Sequence, residues 1–529
     1  MSTSIYLLDL LVRAKALFIF GLAVIPSLAV SQAVTLPSAA TEKALRALTT
    51  ANSEPRTIST KEYKVDPKRL PGAEKTTAQT DANGLTSMPL FVADTLIVQF
   101  KPNTTQNGIE TFLKERNLEV VQTFPSLGAI KVKGDFSKYF AADLADKDQN
   151  QTLLRGVNAM ITDFTKEAVV RSASPDLILH KQTAPSEASN LLKPSDISGL
   201  IESPATAEAV DWGARNIEAD KLWGLPRAKD GVLFGILDVG FGRHRDLVYI
   251  DLPEPAPIDD HGTHVAGIAC ARGAGSRGVL PNCFVRARTG DVFFKSLEGG
   301  DVTKFFAVFS QILATLDNFL FDYNDMRVVN VSMGYNWRSN FGINPDDPGS
   351  SSWRALVEQQ GLMLVTALER ASKANVIIYS AAGNDSLGLQ IPIQAKYASA
   401  LNWAAITARD KGIYSGVIVE AHNISNVRAD FSNAGGDISC PGVDILSTVA
   451  HNLAGDLSDS MYGKMSGTSM ASPYCASAHA LLSLVRPGYT GQEIARCLVS
   501  SSQRSDTGTP LLRLTDALRK CPERKRLPR

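Results

Sequence analysis

The chain has 529 residues, of which 44% are hydrophobic and 20% are charged, and its 54 basic residues balance its 54 acidic ones. This length exceeds what one hydrophobic core usually organises, so we expect one domain of about 200–300 residues together with accessory segments. A chain without net charge has no long-range field that attracts anionic partners, and we therefore expect no nucleic-acid partner.

Residues 1–33 have the layout of a secretory signal peptide. Arg13 and Lys15 precede an apolar run at 16–30, and small residues such as Ser31 follow it. The run is shorter than the roughly 20 residues that a membrane-spanning helix needs. We therefore expect export, cleavage of this segment and no stable membrane span afterwards, with an uncleaved membrane anchor as the alternative.

A compact stretch at 91–182 lies between two polar segments. Residues 34–90 are rich in Ser, Thr, Ala, Pro and charge and show little periodicity, which predicts a flexible linker. Residues 183–210 are again polar and predict a second linker that a protease can reach. Between them, apolar periodicity predicts a small α+β domain, with strands at 95–100, 127–132 and near 169 and 177, and helices at 108–116 and 142–161.

In the stretch from 211 to 518, apolar strands alternate with helical patterns. The predicted strands are 231–237, 284–287, 327–331 and 375–380, and the predicted helices are 262–272, 301–324 and 351–374. Such alternation predicts an α/β fold, a parallel sheet with helices on both faces. The basic tail at 519–529 predicts a solvated, frayed end.

The cysteine count is even, which permits disulfide bonds in an exported chain. The cysteines are Cys270, Cys283, Cys440, Cys475, Cys497 and Cys521, and none shows metal-ligand spacing. We predict only the two pairs that are near in sequence, Cys270 with Cys283 and Cys497 with Cys521. Cys475 lies in an Ala-rich helical stretch, where a small buried apolar residue is the competing interpretation.

Asp238, in the motif LDVG (237–240), directly follows a predicted strand. Its carboxylate is therefore expected at the carboxyl edge of the sheet, where open α/β folds build their sites. Taken alone, an Asp after a strand is most often a turn residue or a helix cap.

His261 opens the motif HGTHVAG (261–267), which begins an apolar, small-residue helix. The chain has only seven histidines, and His264 lies in the same motif, between glycines that permit close backbone approach. A pair of histidines can bind metal, but this spacing is not the HExxH of zinc proteases.

Ser469, in SGTSMASP (466–473), is predicted at the N-terminus of a helix, where backbone N–H groups and the helix dipole stabilise an oxyanion. A serine there is commonly only a helix cap. The motif is not the GxSxG elbow of α/β-hydrolases, whose partners follow in a different order.

The order Asp, His, Ser along the chain is the order found in subtilisin. The three motifs resemble the signature blocks of the subtilisin-like serine proteases, over residues 211–518. This resemblance implies a subtilisin-like parallel sheet sandwiched by helices and a serine endopeptidase that acts on polypeptides, with Asp238, His261 and Ser469 as the catalytic triad. The chemistry requires no cofactor; structural calcium occurs in the family, but no ligands can be assigned from the sequence.

Two further blocks fit the same family. The motif NVSMG (330–334) resembles its substrate-binding strand, which implies that Ser332, Met333 and Gly334 pair with an extended peptide through backbone hydrogen bonds. The motif AAGND (381–385) resembles its oxyanion block, which implies that the Asn384 amide and the backbone N–H of Ser469 bind the developing oxyanion. By itself, an Asn after Ala-Ala-Gly is an ordinary turn residue.

The α+β domain at 91–182 resembles the family's propeptide, which acts as an intramolecular chaperone and inhibitor and is removed by the enzyme itself. The linker at 183–210 is then the expected place of maturation. The sequence departs from the family pattern at Val239, Ser466 and Cys440, where Thr or Ser, Asn and Ala are usual. None of these changes removes a member of the triad or the oxyanion Asn.

Two other functions remain open at this point. One is a catalytically silent binding protein on a subtilisin scaffold, although a binding role does not need four separated polar residues in place. The other is an esterase or amidase that uses the same triad. An active-site serine label separates the silent scaffold from the enzymes, and a peptide substrate compared with an ester separates the enzymes from each other.

Overall fold

The computed structural model describes most of the chain after residue 35. The described residues are 36–50, 59–70, 80, 83–140, 149–181, 212–252, 259–273, 277–289, 307–321, 326–450, 461–506 and 508–524. The predicted signal peptide at 1–33 and the predicted linker at 183–210 lie outside them. Within the described part, no helix combines the length and the apolar character needed to cross a bilayer.

The N-terminal module, residues 36–181, contains an antiparallel sheet and helices that pack against it. Its elements are α1 (Ala39–Arg46), β1 (Thr60–Val65), β2 (Thr86–Phe100), α2 (Gln106–Glu115), β3 (Glu119–Phe124), β4 (Ala129–Lys133), α3 (Gln149–Thr165) and β5 (Val170–Lys181). The strands lie in the order β5-β2-β4-β3, and β1 pairs with the first half of β2.

Side-chain alternation gives this sheet two different faces. Val98 of β2 and Ile130 of β4 belong to a hydrophobic core that also contains residues of α2 and α3. Since successive side chains of a strand point to opposite faces, Gln99 and Lys131 lie on the other side of the sheet. Gln99 Nε2 donates to the hydroxyl of Thr366, in the C-terminal part of the chain, at 3.1 Å. The second face of the module therefore packs on the rest of the molecule.

The C-terminal body starts at residue 212 in the described part. Its elements are α4 (Trp212–Asn216), β6 (Val232–Asp238), β7 (Tyr249–Asp251), α5 (Asp260–Cys270), β8 (Cys283–Thr289), β9 (Ala307–Val308), α6 (Phe309–Phe321), β10 (Val328–Val331), β11 (Met333–Gly334), α7 (Trp337–Phe341), α8 (Ser351–Ala374), β12 (Ile377–Ala381), α9 (Ala400–Arg409), β13 (Gly416–His422), β14 (Ile438–Pro441), β15 (Ile445–Val449), β16 (Met461–Met465), α10 (Thr468–Val485), α11 (Gly491–Ser501), β17 (Gln503–Arg504), β18 (Pro510–Leu511) and α12 (Leu514–Lys520).

The main sheet of the body has the order β17-β18-β14-β13-β12-β10-β6-β8-β7 in the described residues. Neighbouring strands are parallel, except that β17 and β18 are antiparallel to each other. Strands β10, β12, β13 and β14 are buried at every residue, as expected for a parallel sheet that is covered on both faces. Helix α10 packs across these four strands, and α8 and α9 pack against β12 and β13. The predicted α/β fold is confirmed.

The predicted flexible linker at 34–90 was wrong for much of its length, because it contains α1, β1 and the start of β2. The hydroxyl of Thr41 in α1 donates to the carbonyl oxygens of Pro102 at 2.7 Å and Thr104 at 3.0 Å. Strand β1 is held by its pairing with β2. Short elements of this kind are stabilised by tertiary partners, so they leave little periodicity in the sequence.

The predicted frayed tail at 519–529 was wrong at its start. Helix α12 ends at Lys520, and Cys521 is bonded to Cys497 of α11. Arg524 then forms an ion pair with Glu493 at 2.9 Å. The body therefore extends to at least residue 524, beyond the expected boundary at 518.

All six cysteines are paired, as Cys270–Cys283, Cys440–Cys475 and Cys497–Cys521. The structure confirms the two predicted pairs. The interpretation of Cys475 as a merely apolar residue was wrong, because its sulfur is bonded to that of Cys440 across 35 residues of sequence. This bond joins α10 to β14, which are neighbours in the core although they are distant in the chain.

Candidate active site

Asp238 ends β6 at the carboxyl edge of the parallel sheet and is fully buried. Its Oδ1 atom accepts the backbone N–H of Val239 at 2.8 Å and lies 2.7 Å from Nδ1 of His261. The other oxygen, Oδ2, is buried without a hydrogen-bond partner in the described part of the chain. A carboxylate in this position orients the imidazole ring and stabilises a positive charge on it.

His261 is the second residue of α5 and lies in the first turn of that helix, two residues after its cap Asp259. The side chain of Asp259 accepts the backbone N–H of His261 at 2.7 Å, and its carbonyl oxygen accepts the hydroxyl of Thr263 at 3.0 Å. The ring of His261 is fully buried, and its Nε2 atom has no hydrogen-bond partner among the described residues. The nitrogen opposite Asp238 can therefore take part in proton transfer.

His264, the second histidine of the motif, has a structural role. Its Nε2 atom lies 2.9 Å from the carbonyl oxygen of Ile445 and 3.1 Å from that of Gly463, which ties α5 to the β15–β16 hairpin. Burial lowers the pKa of His264 to about 3, so the ring is neutral at neutral pH. The described residues contain no group of three or more His, Cys, Asp or Glu that could hold a metal ion, and we assign neither a zinc nor a calcium site.

Ser469 is the second residue of α10 and is fully buried. Its hydroxyl donates to the carbonyl oxygen of Ser332 at 3.1 Å, and the hydroxyl of Ser332 donates to the carbonyl oxygen of Ser469 at 3.1 Å. Asn330 in β10 fixes this arrangement, because its Nδ2 donates to the Ser332 hydroxyl at 2.9 Å and its Oδ1 accepts the hydroxyl of Ser472 at 2.6 Å. The start of α10 is thus bound to the residue just before β11.

Asn384 follows β12 and faces the start of α10. Its Oδ1 atom accepts both the backbone N–H and the hydroxyl of Thr468, each at 2.9 Å. Its Nδ2 atom is buried and has no hydrogen-bond partner in the described structure. An unpaired buried donor costs free energy, so a side-chain amide in this state is suited to bind an oxygen that arrives with the substrate.

The end of β5, from the N-terminal module, pairs with the predicted substrate-binding strand. His180 and Lys181 pair antiparallel with Gly334 and Met333 of β11, and the residues before them pair with β9 on the other side. Asn336 Nδ2 also donates to the carbonyl oxygen of Lys181 at 2.8 Å. The structure therefore brings the predicted strand at 332–334, Ser469 and an extended peptide segment together.

Three residues that support this arrangement were not predicted. Asp259 caps the helix of His261, Thr468 orients the amide of Asn384, and Asn330 holds Ser332. An Asp just before a helical motif is a cap signal that could have been read from the sequence. Thr468 and Asn330 lie inside motifs that were recognised, but their partners are about 80 and 140 residues away, so the contacts required the fold.

Asp385 is a buried carboxylate next to the oxyanion candidate and was not assigned a role. Its Oδ1 atom accepts the backbone N–H of Arg338 at 2.9 Å, and its own N–H donates to Oδ1 of Asn433 at 3.0 Å. Its Oδ2 atom has no hydrogen-bond partner among the described residues. Burial raises the pKa of Asp385 to about 6, because the charged form is poorly solvated there.

The sequence model of Peptidase_S8, the subtilase family, matches residues 243–515 of this chain. That match covers just over half of the 529 residues and includes His261, Asn384 and Ser469. The chain belongs to the subtilase family. As a subtilase it is a serine endopeptidase of the subtilisin type, and polypeptides are its substrates.

Proteases of the subtilisin type resemble this subtilase over more than half of the chain. The alkaline protease of Alkalihalobacillus alcalophilus is 28% identical over an alignment of 334 residues, which covers 59% of this chain and 72% of the relative. Subtilisin Savinase of Lederbergia lenta is 28% identical over an alignment of 307 residues, which covers 56% of this chain and 92% of the relative.

The fold of this subtilase is similar to that of fervidolysin from Fervidobacterium pennivorans, described as a keratinolytic enzyme related to subtilisin. The TM-score is 0.52 at 18% sequence identity, and the similarity covers 89% of this chain. The chain spans 65% of the length of that structure. At this identity the comparison supports a shared fold, the subtilisin-like parallel sheet with its surrounding helices.

Proposed function

We propose that this subtilase is a secreted endopeptidase, made as a self-processing precursor, in which Asp238, His261 and Ser469 form the catalytic triad. One observation carries the proposal: β5, the last strand of the N-terminal module, pairs antiparallel with β11, beside Ser469. A precursor that places its own chain in the substrate position is poised to cleave itself. The signal-peptide pattern at 1–33 supports secretion.

In this mechanism Ser469 is the nucleophile that attacks the peptide carbonyl. His261 accepts the hydroxyl proton through Nε2 and returns it to the leaving amine, while Asp238 holds the ring through Nδ1. In the resting geometry the Ser469 hydroxyl donates to the Ser332 carbonyl. Rotation of the Ser469 side chain toward His261 is therefore the first step, and it exchanges one hydrogen-bond acceptor for another.

The tetrahedral oxyanion is bound by the Nδ2 amide of Asn384 and the backbone N–H of Ser469. The first turn of a helix offers N–H groups without an intrahelical acceptor, and the dipole of α10 adds positive potential there. One such donor contributes on the order of 3–4 kcal/mol of transition-state stabilisation. The orientation of Asn384 by Thr468 supplies this donor before the substrate binds.

The N-terminal module acts as the chaperone and inhibitor of the body. Asp176 of β5 accepts the backbone N–H of Ser310, at the start of α6, at 2.8 Å and its hydroxyl at 2.6 Å. Lys131 lies 2.9 Å from the same carboxylate, and both charges are fully buried. The module thus caps a helix of the body, and removal of either charge would break a buried ion pair at this contact.

Other polar contacts extend this interface to α8. Arg370 forms an ion pair with Glu42 of α1 and donates through Nε to the carbonyl oxygen of Ser126 at 3.1 Å. Gln360 Nε2 donates to the carbonyl oxygen of Pro175 at 3.3 Å. An interface with buried, directional hydrogen bonds supports a module that templates α6 and α8 during folding and then blocks the cleft.

The maturation cut is expected just beyond β5. Antiparallel pairing advances one residue on each strand, so a substrate that binds β11 in the register of His180 and Lys181 has its next residue opposite Ser332, beside Ser469. We propose the bond after Gln182 as the first one cleaved, at the start of the predicted linker.

The test compares the mass and activity of the secreted wild-type protein with those of Ser469→Ala, each incubated with a casein-like unstructured substrate. We expect the wild type to lose a segment that ends near residue 182 and to degrade the substrate, while Ser469→Ala stays long and inert. Ser477→Ala is the matched control, because the Ser477 hydroxyl, also buried in α10, donates only to helix carbonyl oxygens.

Two outcomes would contradict the proposal. If both proteins stay inert after the module has been cut experimentally, and no active-site serine label reacts, the chain is a silent scaffold. If the label reacts but only ester substrates are hydrolysed, the protein is an esterase with this triad.

A further inference from the structure

The acidic side chain of Asp259 lies next to Lys181, at the edge of the proposed substrate cleft. The Lys181 Nζ atom is 3.0 Å from Oδ2 and 3.2 Å from Oδ1 of Asp259. The Asp259 side chain is 17% exposed and that of Lys181 is 44% exposed, so the pair sits at the rim of the cleft rather than in open solvent. The module therefore presents a cation, Lys181, to Asp259, and both carboxylate oxygens of Asp259 are within hydrogen-bond distance of its ammonium group.

The position of Asp259 does not depend on Lys181. Asp259 caps α5 in an extended backbone conformation and accepts the backbone N–H of His261 at 2.7 Å. Its carbonyl oxygen is bound by the hydroxyl of Thr263, which itself accepts the N–H of Gly242 at 2.7 Å. All of these contacts lie within the body. The carboxylate therefore keeps its place next to His261 when the module leaves.

The register defines which substrate residue meets Asp259. Lys181 is opposite Met333, and the following residue of a bound peptide is opposite Ser332, the partner of the Ser469 hydroxyl. Lys181 thus takes the place of the second residue before the scissile bond. From this geometry we propose that Asp259 is a specificity-determining residue, and that the mature protease prefers lysine or arginine at the Lys181 position of its substrates.

This inference rests on the proposed function, because it treats β5 as a stand-in for substrate. A carboxylate attracts an ammonium or guanidinium group, is indifferent to a neutral amide and repels a second carboxylate. For a partly exposed pair, we expect a preference for Lys over Gln of about fivefold in kcat/KM. Because such a pair is screened by ions, the preference should shrink at high salt.

The experiment uses peptides that copy residues 177–184 of the chain, with Lys, Gln or Glu at the position of Lys181. The mature wild type and Asp259→Asn are assayed on each peptide at low and high salt. Asn also caps helices, so the variant keeps the hydrogen bond to His261 and loses only the charge. We expect the Lys to Gln ratio to fall from about five to about one, and the Glu peptide to gain relative to Gln.

The control is Asp251→Asn, which removes an equal charge from β7, where Asp251 pairs with Arg288 at 2.5 Å. It should leave the Lys to Gln ratio as in the wild type. A second measurement covers the case in which Asp259→Asn fails to fold: Lys181→Gln and Lys181→Glu, made in the full-length chain, alter only the segment that departs. Their self-cleavage should be slower than that of the wild type, with Glu the slower of the two.

The two proposals fail in different ways. If the wild type cleaves all three peptides at equal rates, or if Lys181→Glu processes itself at the wild-type rate, the preference is overturned and the protease remains. If the wild type cleaves none of the peptides and never processes itself, the proposed function is overturned as well.

Discussion

Thr468 holds the side chain of Asn384 by its carbonyl end, through two hydrogen bonds of 2.9 Å to Oδ1. This relationship settles which end of the amide is which, since only the oxygen can accept both donors. The NH2 group is then directed away from Thr468 and is the buried atom without a partner in the described structure. A single threonine at the start of α10, the helix of the proposed nucleophile Ser469, thus orients the proposed oxyanion donor.

We predict that Asn384→Ala slows self-cleavage of the precursor about 100- to 1000-fold, because one oxyanion donor is lost in the transition state only. The rate is measured as the appearance of the shortened body by mass spectrometry. Thr468→Ser, which keeps both donors to Oδ1, should process at close to the wild-type rate, whereas Thr468→Val should be intermediate. If Asn384→Ala cleaves itself at a rate within threefold of the wild type, Asn384 does not bind the oxyanion.

Strand β1 of the N-terminal module provides a second prediction, through Tyr63. The Tyr63 ring packs edge-to-face on Phe341 and Trp353 of the body, with ring centroids 5.8 Å and 5.0 Å away. Such aromatic contacts add about 0.5–1.5 kcal/mol each beyond their buried area. We therefore expect Tyr63→Ala to let the cleaved module dissociate at least fivefold faster, and to shorten the lag between self-cleavage and activity on a fluorogenic peptide.

Lys61→Ala is the matched control for Tyr63→Ala. Lys61 lies on the same strand, but its Nζ atom sits 5.0 Å from the ring centroid of Phe140, inside the module. Its removal should leave the lag unchanged. Equal lags for all three proteins would mean that β1 does not help to hold the module on the body.

The places of the three proposed catalytic residues in the fold could be predicted from the sequence, because each residue lies at the end of a strand or at the start of a helix. Asp238 ends a strand, and His261 and Ser469 begin helices, so apolar periodicity on one side and small residues on the other mark their places. The hydrogen bond between His261 and Asp238, at 2.7 Å, follows from that placement at one edge of the sheet.

The residues that sequence reasoning missed depend on partners that are distant in the chain. Helix α1 has eight residues, too few to be stable alone, and it is ordered by carbonyl groups about 60 residues later. The Cys440–Cys475 bond likewise required knowledge that β14 and α10 are neighbours. Composition suggested a linker in the first case and an apolar residue in the second, because neither pattern contains the partner.

That disulfide leads to a third prediction. Cys440 is in β14 and Cys475 is in α10, six residues after the proposed nucleophile Ser469, so the bond anchors this helix to the sheet. Replacing the pair by Ala at 440 and Val at 475 should lower the free energy of unfolding by about 3–4 kcal/mol, through the larger entropy of the unfolded chain. Urea unfolding of the Ser469→Ala precursor, which cannot digest itself, measures this loss.

Removal of the Cys497–Cys521 pair is the comparison, since it closes a loop of similar length away from Ser469. Both losses should reduce stability to a similar degree. Only the loss of the Cys440–Cys475 bond should also lower the temperature at which the mature protease stops turning over before global unfolding. Identical inactivation profiles for the two variants would show that this bond stabilises the fold without a specific effect on α10.

The fourth prediction concerns Asp385, whose pKa is raised to about 6 by burial. The folded state then binds a proton more tightly than the unfolded state, where a carboxyl of this type titrates near pH 4. The stability that this proton provides is fully present below about pH 4 and is lost as the pH rises through 6. Asp385→Asn, which has no charge to bury, should be as stable as the wild type near pH 4.

Above pH 6 the Asn variant should be more stable than the wild type by on the order of 3 kcal/mol, since each unit of pKa shift corresponds to about 1.4 kcal/mol. Urea unfolding at several pH values, in the Ser469→Ala background, gives this difference. Asp163 provides a control of opposite sign, because its hydrogen bond with Arg116 at 2.7 Å lowers its pKa to about 2. Asp163→Asn should therefore lose stability relative to the wild type as the pH rises above 2. If the Asp385→Asn difference stays constant from pH 4 to 8, the carboxylate is charged throughout, and the buried Oδ2 atom must have a partner that solvates it.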